Sequence, residues 1–119
     1  MGYNTCYYRN FVIGKPTKEQ KKMYQETYKT IYAAIDAIKP GVTTADIAQI
    51  WKDMGLEFQD DQYGSVSLLQ FGHGLGITNH EPPFISMAYS KEYPMTFEPN
   101  MYLAIETYAG HPGQTEAAR

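Results

Sequence analysis

The sequence has little of several features that would place it in other classes of protein. It contains one cysteine in 119 residues, which excludes an internal disulfide and favours a reducing compartment. No apolar stretch approaches the length of a membrane span, and the first residues lack the charged and apolar regions of a secretion signal. These absences predict a soluble, cytoplasmic protein with no membrane partner.

Basic residues are too few and too scattered for a nucleic-acid surface. The formal net charge is −3, and the basic cluster at residues 15–22 is typical of the solvated start of a helix. We therefore expect no nucleic-acid partner. A length of 119 residues allows one domain at most, which can be stable if its sheet is complete.

Two segments carry strong helix signals. Thr17 opens a capping box, and apolar residues then recur at helical spacing until Lys-Pro-Gly at 39–41 ends the pattern. A second capping signal at 43–46 precedes another helical pattern that Gly55 closes. Both apolar stripes are predicted to face the core: Tyr24, Tyr28, Ile31, Ile35 and Ile38 in the first helix, and Ile47, Ile50, Trp51 and Met54 in the second.

Three stretches are typical of strands. Residues 3–13 are rich in tyrosine and β-branched residues and end in a turn, residues 66–71 form an apolar run that stops at glycine, and residues 101–108 alternate. Between the second and third strands, we expect irregular structure with one extended piece at 84–86. The last eleven residues, 109–119, are predicted to form a loop and a tail without a strand pattern.

His73 and Glu106 are the candidate metal ligands. His73 follows the second strand between two glycines, which allow positive φ or close backbone approach, and such crowding usually means that something binds there. Glu106 falls inside the third strand, where a buried carboxylate takes up a proton or finds a cation. A metal ion with His73 as second ligand satisfies both residues. The alternative is that His73 is a turn residue and Glu106 faces water.

Four motifs occur in an order that resembles one family. They read Gly-His-Gly-Leu-Gly at 72–76, His-Glu-Pro-Pro at 80–83, Phe-Glu-Pro-Asn-Met at 97–101 and Ile-Glu-Thr at 105–107. Together they resemble the second half of the catalytic domain in the superfamily of creatinase, aminopeptidase P and methionine aminopeptidase. The resemblance covers nearly all of the chain. It implies an α/β (α+β) partial pita-bread fold, with a curved, mainly antiparallel sheet backed by two helices.

The resemblance also implies roles for three residues. Members of the superfamily hold two divalent metals with two aspartates, one histidine and two glutamates. His73 matches the histidine ligand and Glu106 the first glutamate. His80 matches a second histidine that acts in catalysis by contacting the substrate or the tetrahedral intermediate, outside ligand distance of the metal. The implied cofactor is a divalent ion (Mn, Co, Zn or Fe), bound weakly in this chain.

One ligand position departs from the family's pattern. Aligning Arg9 with the family's arginine puts Cys6 where an aspartate is expected, and residues 1–17 contain no acidic residue. A thiolate binds zinc, cobalt or iron, but it cannot bridge two hard cations as a carboxylate does. We favour the commoner role of a lone cysteine, a small buried apolar residue, over a degenerate metal position.

The same alignment bears on the ends of the chain. The family's first aspartate would precede Met1, and Arg119 resembles an arginine that shortly precedes the last glutamate ligand. Residues 1–119 are therefore expected to form the C-terminal half of a catalytic domain, lacking the first aspartate strand and the last glutamate strand. The chain would then be a fragment or a truncated gene product.

The function implied by the resemblance is metal-dependent hydrolysis of a peptide-like C–N bond. The expected enzyme is of the Xaa-Pro aminopeptidase, dipeptidase or creatinase kind, acts on a small peptide or small amide-like substrate, and is impaired in this chain. Leu69 argues against a strict Xaa-Pro peptidase, because that subgroup carries a histidine four residues before the metal histidine. The alternatives are a non-catalytic pita-bread binding domain and a dimethylsulfoniopropionate lyase. A homodimer is allowed, because unpaired sheet edges can associate.

Overall fold

The computed structural model describes residues 2–55, 70–87, 89–110 and 117–118. Its elements in chain order are α1 (Lys18–Ala37), α2 (Thr44–Asp53), β1 (Gln70–Gly74), β2 (Glu81–Ser86), α3 (Tyr89–Glu92), β3 (Leu103–Ile105), β4 (Ala109–Gly110) and β5 (Ala117–Ala118). β1 is the central strand of an antiparallel sheet in the order β2-β1-β3, and β4 pairs with β5. Within these ranges, no helix combines the length and the apolar character needed to cross a membrane.

Both long helices begin as the capping signals predict. The Thr17 hydroxyl accepts a hydrogen bond from the backbone N–H of Gln20 at 3.1 Å, and the Gln20 side chain accepts one from the backbone N–H of Thr17 at 2.9 Å. Thr43 and Asp46 form the same reciprocal pair at the start of α2. Each box satisfies N–H groups that have no partner inside the helix, so it fixes where the helix begins.

The predicted buried face of α1 is wrong. Tyr24 and Tyr28 are each 53% exposed, and the helix buries a face offset by about one residue. The residues on that face are Met23, Thr27, Thr30 and Ala34. The threonines fit there because their hydroxyls donate to backbone carbonyls of α1 itself, and their small size lets another element approach closely.

Trp51 and Thr107 both approach this face, and the Thr107 hydroxyl donates to the carbonyl oxygen of Thr27 at 3.4 Å. Trp51 makes the larger contact. Trp51 is 1% exposed, and its indole N–H donates to the carbonyl oxygen of Thr30 at 2.9 Å. Its ring meets Phe71 edge-on, with the centroids 5.8 Å apart, which links the two helices to β1. In α2 the predicted stripe is confirmed for Ile47 and Trp51, whereas Met54 is 43% exposed.

The strands differ from the prediction in their bounds. β1 continues through Gly72 to Gly74, and residues 66–69 of the predicted strand, including Leu69, lie outside the described residues. β2 is a full strand, longer than the extended piece predicted at 84–86. β4 and β5 pair where a loop and a tail without strands were predicted. Two-residue strands carry too little pattern to be read from the sequence, because the pairing partner alone defines them.

The strand predicted at residues 3–13 is also wrong, because none of residues 2–17 is in a strand. A strand needs a partner strand along its length, and in the part of the chain that the structure describes neither sheet includes this segment. The segment is instead attached to the turn after β1. The backbone N–H of Asn4 donates to the carbonyl oxygen of Gly76 at 2.8 Å, and its side-chain amide donates to that of Ile77 at 2.8 Å.

Candidate metal site

The register of the sheet places His73 and Glu106 on one face. His73 pairs with Ala104 across β1 and β3, and Glu106 lies two residues beyond Ala104, where its N–H donates to the carbonyl oxygen of Phe71 at 2.8 Å. Residues two apart in a strand point to the same side, so His73 and Glu106 are diagonal neighbours within reach of each other. Nε2 of His73 lies 3.5 Å from Oε1 of Glu106, and the side chains are 0% and 7% exposed.

The glycines beside His73 make room for β2. A Cβ at Gly72 would lie 2.7 Å from Cδ1 of Ile85, and a Cβ at Gly74 would overlap the carbonyl oxygen of Pro82. Positive φ occurs at other glycines and at neither of these two. The crowding predicted from the sequence is therefore real, but the chain's own neighbouring strand causes it and no ligand is needed to explain it.

One backbone contact fixes the tautomer of His73. Nδ1 lies 2.9 Å from the carbonyl oxygen of Gly74, which can only accept a hydrogen bond, so Nδ1 carries the ring proton. Nε2 then has a free lone pair, and this buried atom has no hydrogen-bond partner. A lone pair that faces a carboxylate oxygen is unfavourable unless a proton or a cation lies between them. A metal ion meets this requirement, and the arrangement of the two side chains therefore suits one.

Cys6 lies at the same point. Its Sγ is 3.2 Å from Oε1 of Glu106, and the thiol donates to the carboxylate. One ligand atom from each of Cys6, His73 and Glu106 lies within 4.8 Å of the other two. We call these residues the three-donor cluster. The interpretation of Cys6 as a small buried apolar residue is wrong, because the residue is half-buried and its thiol contacts a carboxylate.

The alignment with the family pointed to Cys6, but residue spacing alone could not show that its thiol reaches the metal site. The alignment on Arg9 placed Cys6 at a ligand position, but nothing in the sequence reported that Asn4 ties the segment to the turn at Gly76. This attachment brings the thiol against the end of β3. The contact joins residues 100 positions apart in the chain.

His80 lies in the turn between β1 and β2. Its ring stacks on that of His73, with the centroids 3.9 Å apart and the planes inclined by 27°. The Thr78 hydroxyl contacts the His80 carbonyl oxygen at 3.2 Å and the Glu81 carboxylate at 2.7 Å, which holds this turn in place. His80 is solvent-exposed, whereas His73 is 1% exposed, so His80 covers the buried ring from the solvent side.

A hollow of about 250 Å³ opens onto the cluster. Cys6, Glu106 and Arg9 are among the residues that line it. A larger hollow of about 580 Å³, beside Tyr3 and Tyr102, is lined by none of the three donors. Solvent and small solutes can therefore approach the cluster from the Cys6 side.

The fold and the paired ligand candidates define a class: this is an α/β protein of the pita-bread type with a candidate metal site beside the central strand of its sheet. More narrowly, the chain belongs to the metallopeptidase family M24, which it matches over residues 1–119. The resemblance inferred from the four motifs is thereby confirmed.

Individual relatives agree with this assignment. The chain is 30% identical over 105 residues to an Xaa-Pro dipeptidase of Pyrococcus furiosus, and the match covers 85% of this chain and 29% of the relative. Among solved structures, a prolidase from Pyrococcus furiosus superposes with a TM-score of 0.64 at 27% identity, over 86% of this chain and 28% of that one. A dipeptidase from Mycobacterium ulcerans gives 0.64 at 27% identity, over 87% and 26%. The chain thus spans under a third of the length of these relatives.

Proposed function

We propose that the chain carries part of a metal-dependent hydrolase site for a peptide-like C–N bond, with Xaa-Pro dipeptides as the first substrate class to test. The observation that carries this proposal is the buried Nε2 of His73, which has no hydrogen-bond partner and faces Oε1 of Glu106 at 3.5 Å. The name of the Pyrococcus furiosus relative, an Xaa-Pro dipeptidase, supports the choice of substrate.

In this proposal His73 and Glu106 hold a divalent ion. Bound there, the ion supplies a water of lowered pKa and polarises a carbonyl group. The chain's own contribution is positional: the Gly74 carbonyl oxygen fixes the imidazole tautomer, and the β1–β3 register fixes the carboxylate beside it. Both ligands are therefore oriented before an ion arrives, which reduces the conformational entropy that binding must remove.

His80 is the substrate-facing residue in this proposal. Its exposed ring is steadied by stacking on His73 and by the hydrogen bonds of Thr78 in the same turn. A ring N–H held in this way can donate to the oxygen of a carbonyl group as negative charge develops on it. His80 would thus stabilise the tetrahedral intermediate while remaining outside the ligand set.

Cys6 is the feature that we expect to limit turnover by this chain. A thiolate does not bridge two hard cations in the way a carboxylate does, and Glu106 is the one carboxylate of the three-donor cluster. The same feature favours the second candidate, a non-catalytic pita-bread domain that binds a peptide-like ligand without cleaving it. Both candidates share the fold and differ in whether bond cleavage follows binding.

A proline-containing dipeptide assay separates these candidates. We expect slow cleavage that requires added cobalt, zinc or manganese, stops with a chelator and is lost in His73→Ala. The matched control is Tyr24→Ala, which changes an exposed residue of α1 that is not a member of the three-donor cluster and should leave the rate unchanged. If the chain binds the peptide but does not cleave it with cobalt, zinc or manganese, the non-catalytic candidate is established and the hydrolase is refuted.

Three further properties are part of the proposal. The name of the relative supports a small-peptide substrate, and the single cysteine supports a cytoplasmic location. A homodimer is proposed through free strand edges, since β2 and β3 each pair on one side with β1 in the described sheet. Sedimentation over a range of protein concentrations tests the dimer.

A further inference from the structure

We propose that Cys6, His73 and Glu106 form a site for a single metal ion, with Cys6 as a thiolate ligand, and that this site selects zinc over manganese and magnesium. The inference rests on the proposed function for two of its ligands, His73 and Glu106. What it adds is the third ligand, the number of ions and the preferred metal.

Two of the three donor separations fit one tetrahedral ion. Zinc binds sulfur, nitrogen and oxygen at about 2.0–2.3 Å, which places two ligands of one tetrahedral ion roughly 3.3–3.6 Å apart. Sγ of Cys6 lies 3.2 Å from Oε1 of Glu106, and Nε2 of His73 lies 3.5 Å from the same oxygen. Shifts of a few tenths of an ångström would bring these two pairs to the expected separations, and the ligand atoms of Cys6 and His73 lie within 4.8 Å of each other.

The imidazole points to a ligand independently of the cysteine. His73 is 1% exposed, its Nε2 has no hydrogen-bond partner, and its proton is held at Nδ1 by the Gly74 carbonyl oxygen. The Cys6 thiol donates its proton to Oε1, the same carboxylate oxygen that lies 3.5 Å from Nε2 of His73. When a cation binds, the thiol releases this proton to solvent and the sulfur coordinates in its thiolate form. The unpartnered nitrogen gains its partner in the same event.

The chemistry of the three donors decides the number and kind of ion. Among the residues that the structure describes, these form the single group of three or more potential ligands, and it contains one carboxylate. Two adjacent dications repel each other strongly unless several carboxylates neutralise and bridge them. Thiolate and imidazole favour zinc, whereas manganese and magnesium favour sites built from oxygen. One zinc ion therefore suits this donor set, and a pair of manganese ions does not.

Metal titration of the 119-residue chain tests the stoichiometry and the preference. We expect one zinc ion per chain, with manganese and magnesium at least about 100-fold weaker, in the direction of the general affinity order for such ligands. Cobalt serves as a spectroscopic substitute for zinc. Because Cys6 is the chain's only cysteine, a thiolate-to-cobalt charge-transfer band in the near ultraviolet would identify Cys6 as a ligand.

Two substitutions at Cys6 sharpen the test. Cys6→Ser keeps the size of the side chain and removes the thiolate, so the band should vanish and zinc affinity should fall by more than about 100-fold, since loss of outer-shell partners alone costs 10–100-fold. Cys6→Asp supplies a carboxylate, so the band should also vanish while the preference for zinc over manganese narrows. Helix content measured by circular dichroism checks that both variants fold.

The outcomes separate this inference from the hydrolase proposal. One zinc per chain with the thiolate band but no dipeptide cleavage would support the inference and refute the hydrolase. Two manganese ions per chain with cleavage would refute the inference and support the hydrolase. Zinc affinity that is unchanged in a folded Cys6→Ser variant, or cobalt bound without the charge-transfer band, would overturn the inference outright.

Discussion

The ring of His80 lies against the ring of His73, with centroids 3.9 Å apart and planes inclined by 27°. The lone pairs of an imidazole lie in the plane of its ring. In two stacked rings the in-plane lone pairs are nearly parallel, so they cannot both point at one metal ion. The stacking therefore keeps His80 next to the three-donor cluster without adding it to the ligand set.

The first prediction concerns His80. In His80→Ala we expect metal affinity to remain within a few fold of the parent chain, while any measurable dipeptide turnover falls by about 100-fold, the usual effect of removing a donor to an oxyanion. Isothermal titration and the dipeptide assay give the two readouts. The matched variant is His73→Ala, which should lose metal binding as well. Loss of metal from His80→Ala would contradict the role assigned to this residue.

The second prediction tests which face of α1 is buried. Met23 is 1% exposed and Ile35 is 45% exposed, although the apolar periodicity favoured the face that includes Ile35. Met23→Ala should lower the free energy of unfolding by about 2–5 kcal/mol because it leaves a cavity, whereas Ile35→Ala should change it by less than about 0.5 kcal/mol. Urea unfolding followed by circular dichroism measures both. Equal decreases in the free energy of unfolding would mean that α1 is rotated about its axis and buries a different face.

The third prediction concerns the close approach of β2 to β1. A Cβ at Gly74 would overlap the carbonyl oxygen of Pro82 and lie 2.8 Å from that of Glu81, and backbone atoms cannot move aside as a flexible side chain can. Gly74→Ala should therefore destabilise the fold by about 1–3 kcal/mol or more. The substitution should also weaken metal binding, because a displaced backbone at residue 74 would move the neighbouring His73. Gly2→Ala is the control, since a Cβ there meets nothing within 4 Å.

The fourth prediction is a dependence of stability on pH at the start of α2. Hydrogen bonds from the backbone N–H and the hydroxyl of Thr43 hold the pKa of the Asp46 carboxyl below its usual value. A carboxyl whose pKa is lower in the folded state stabilises the protein above the pKa of the unfolded chain. This stabilisation is lost as the pH falls through the lower, folded pKa.

Asp46→Asn isolates that effect, because it keeps an acceptor oxygen and removes the charge. The stability difference between the parent chain and this variant should be largest at neutral pH and should shrink steadily below about pH 4, the usual range for aspartate. Thermal unfolding across this range measures it. A difference that does not change with pH would mean that the charge of Asp46 contributes nothing to the cap.

The sequence predicted the parts of the fold that depend on local chemistry. Thr17 and Thr43 begin their helices because each capping box is made from residues three positions apart. The alternation at residues 101–108 likewise predicted a strand in this region, whereas the burial of Glu106, one residue beyond β3, was one of two interpretations that the sequence left open. His73 and Glu106 could be named in advance because motif order carries information that periodicity lacks.

The tertiary structure decided what depends on contacts between distant residues. The buried face of α1 is set by partners such as Trp51, whose N–H reaches the carbonyl oxygen of Thr30. Apolar periodicity favoured the other face, because it carries no information about these partners. The segment at residues 3–13 has strand propensity but forms no strand, because propensity does not supply a pairing partner and neither described sheet includes this segment. The sequence also put Cys6 at a ligand position without indicating whether it would face the core or the metal site. Asn4 settles this by hydrogen bonds to a turn more than seventy residues away, which bring the thiol to Glu106.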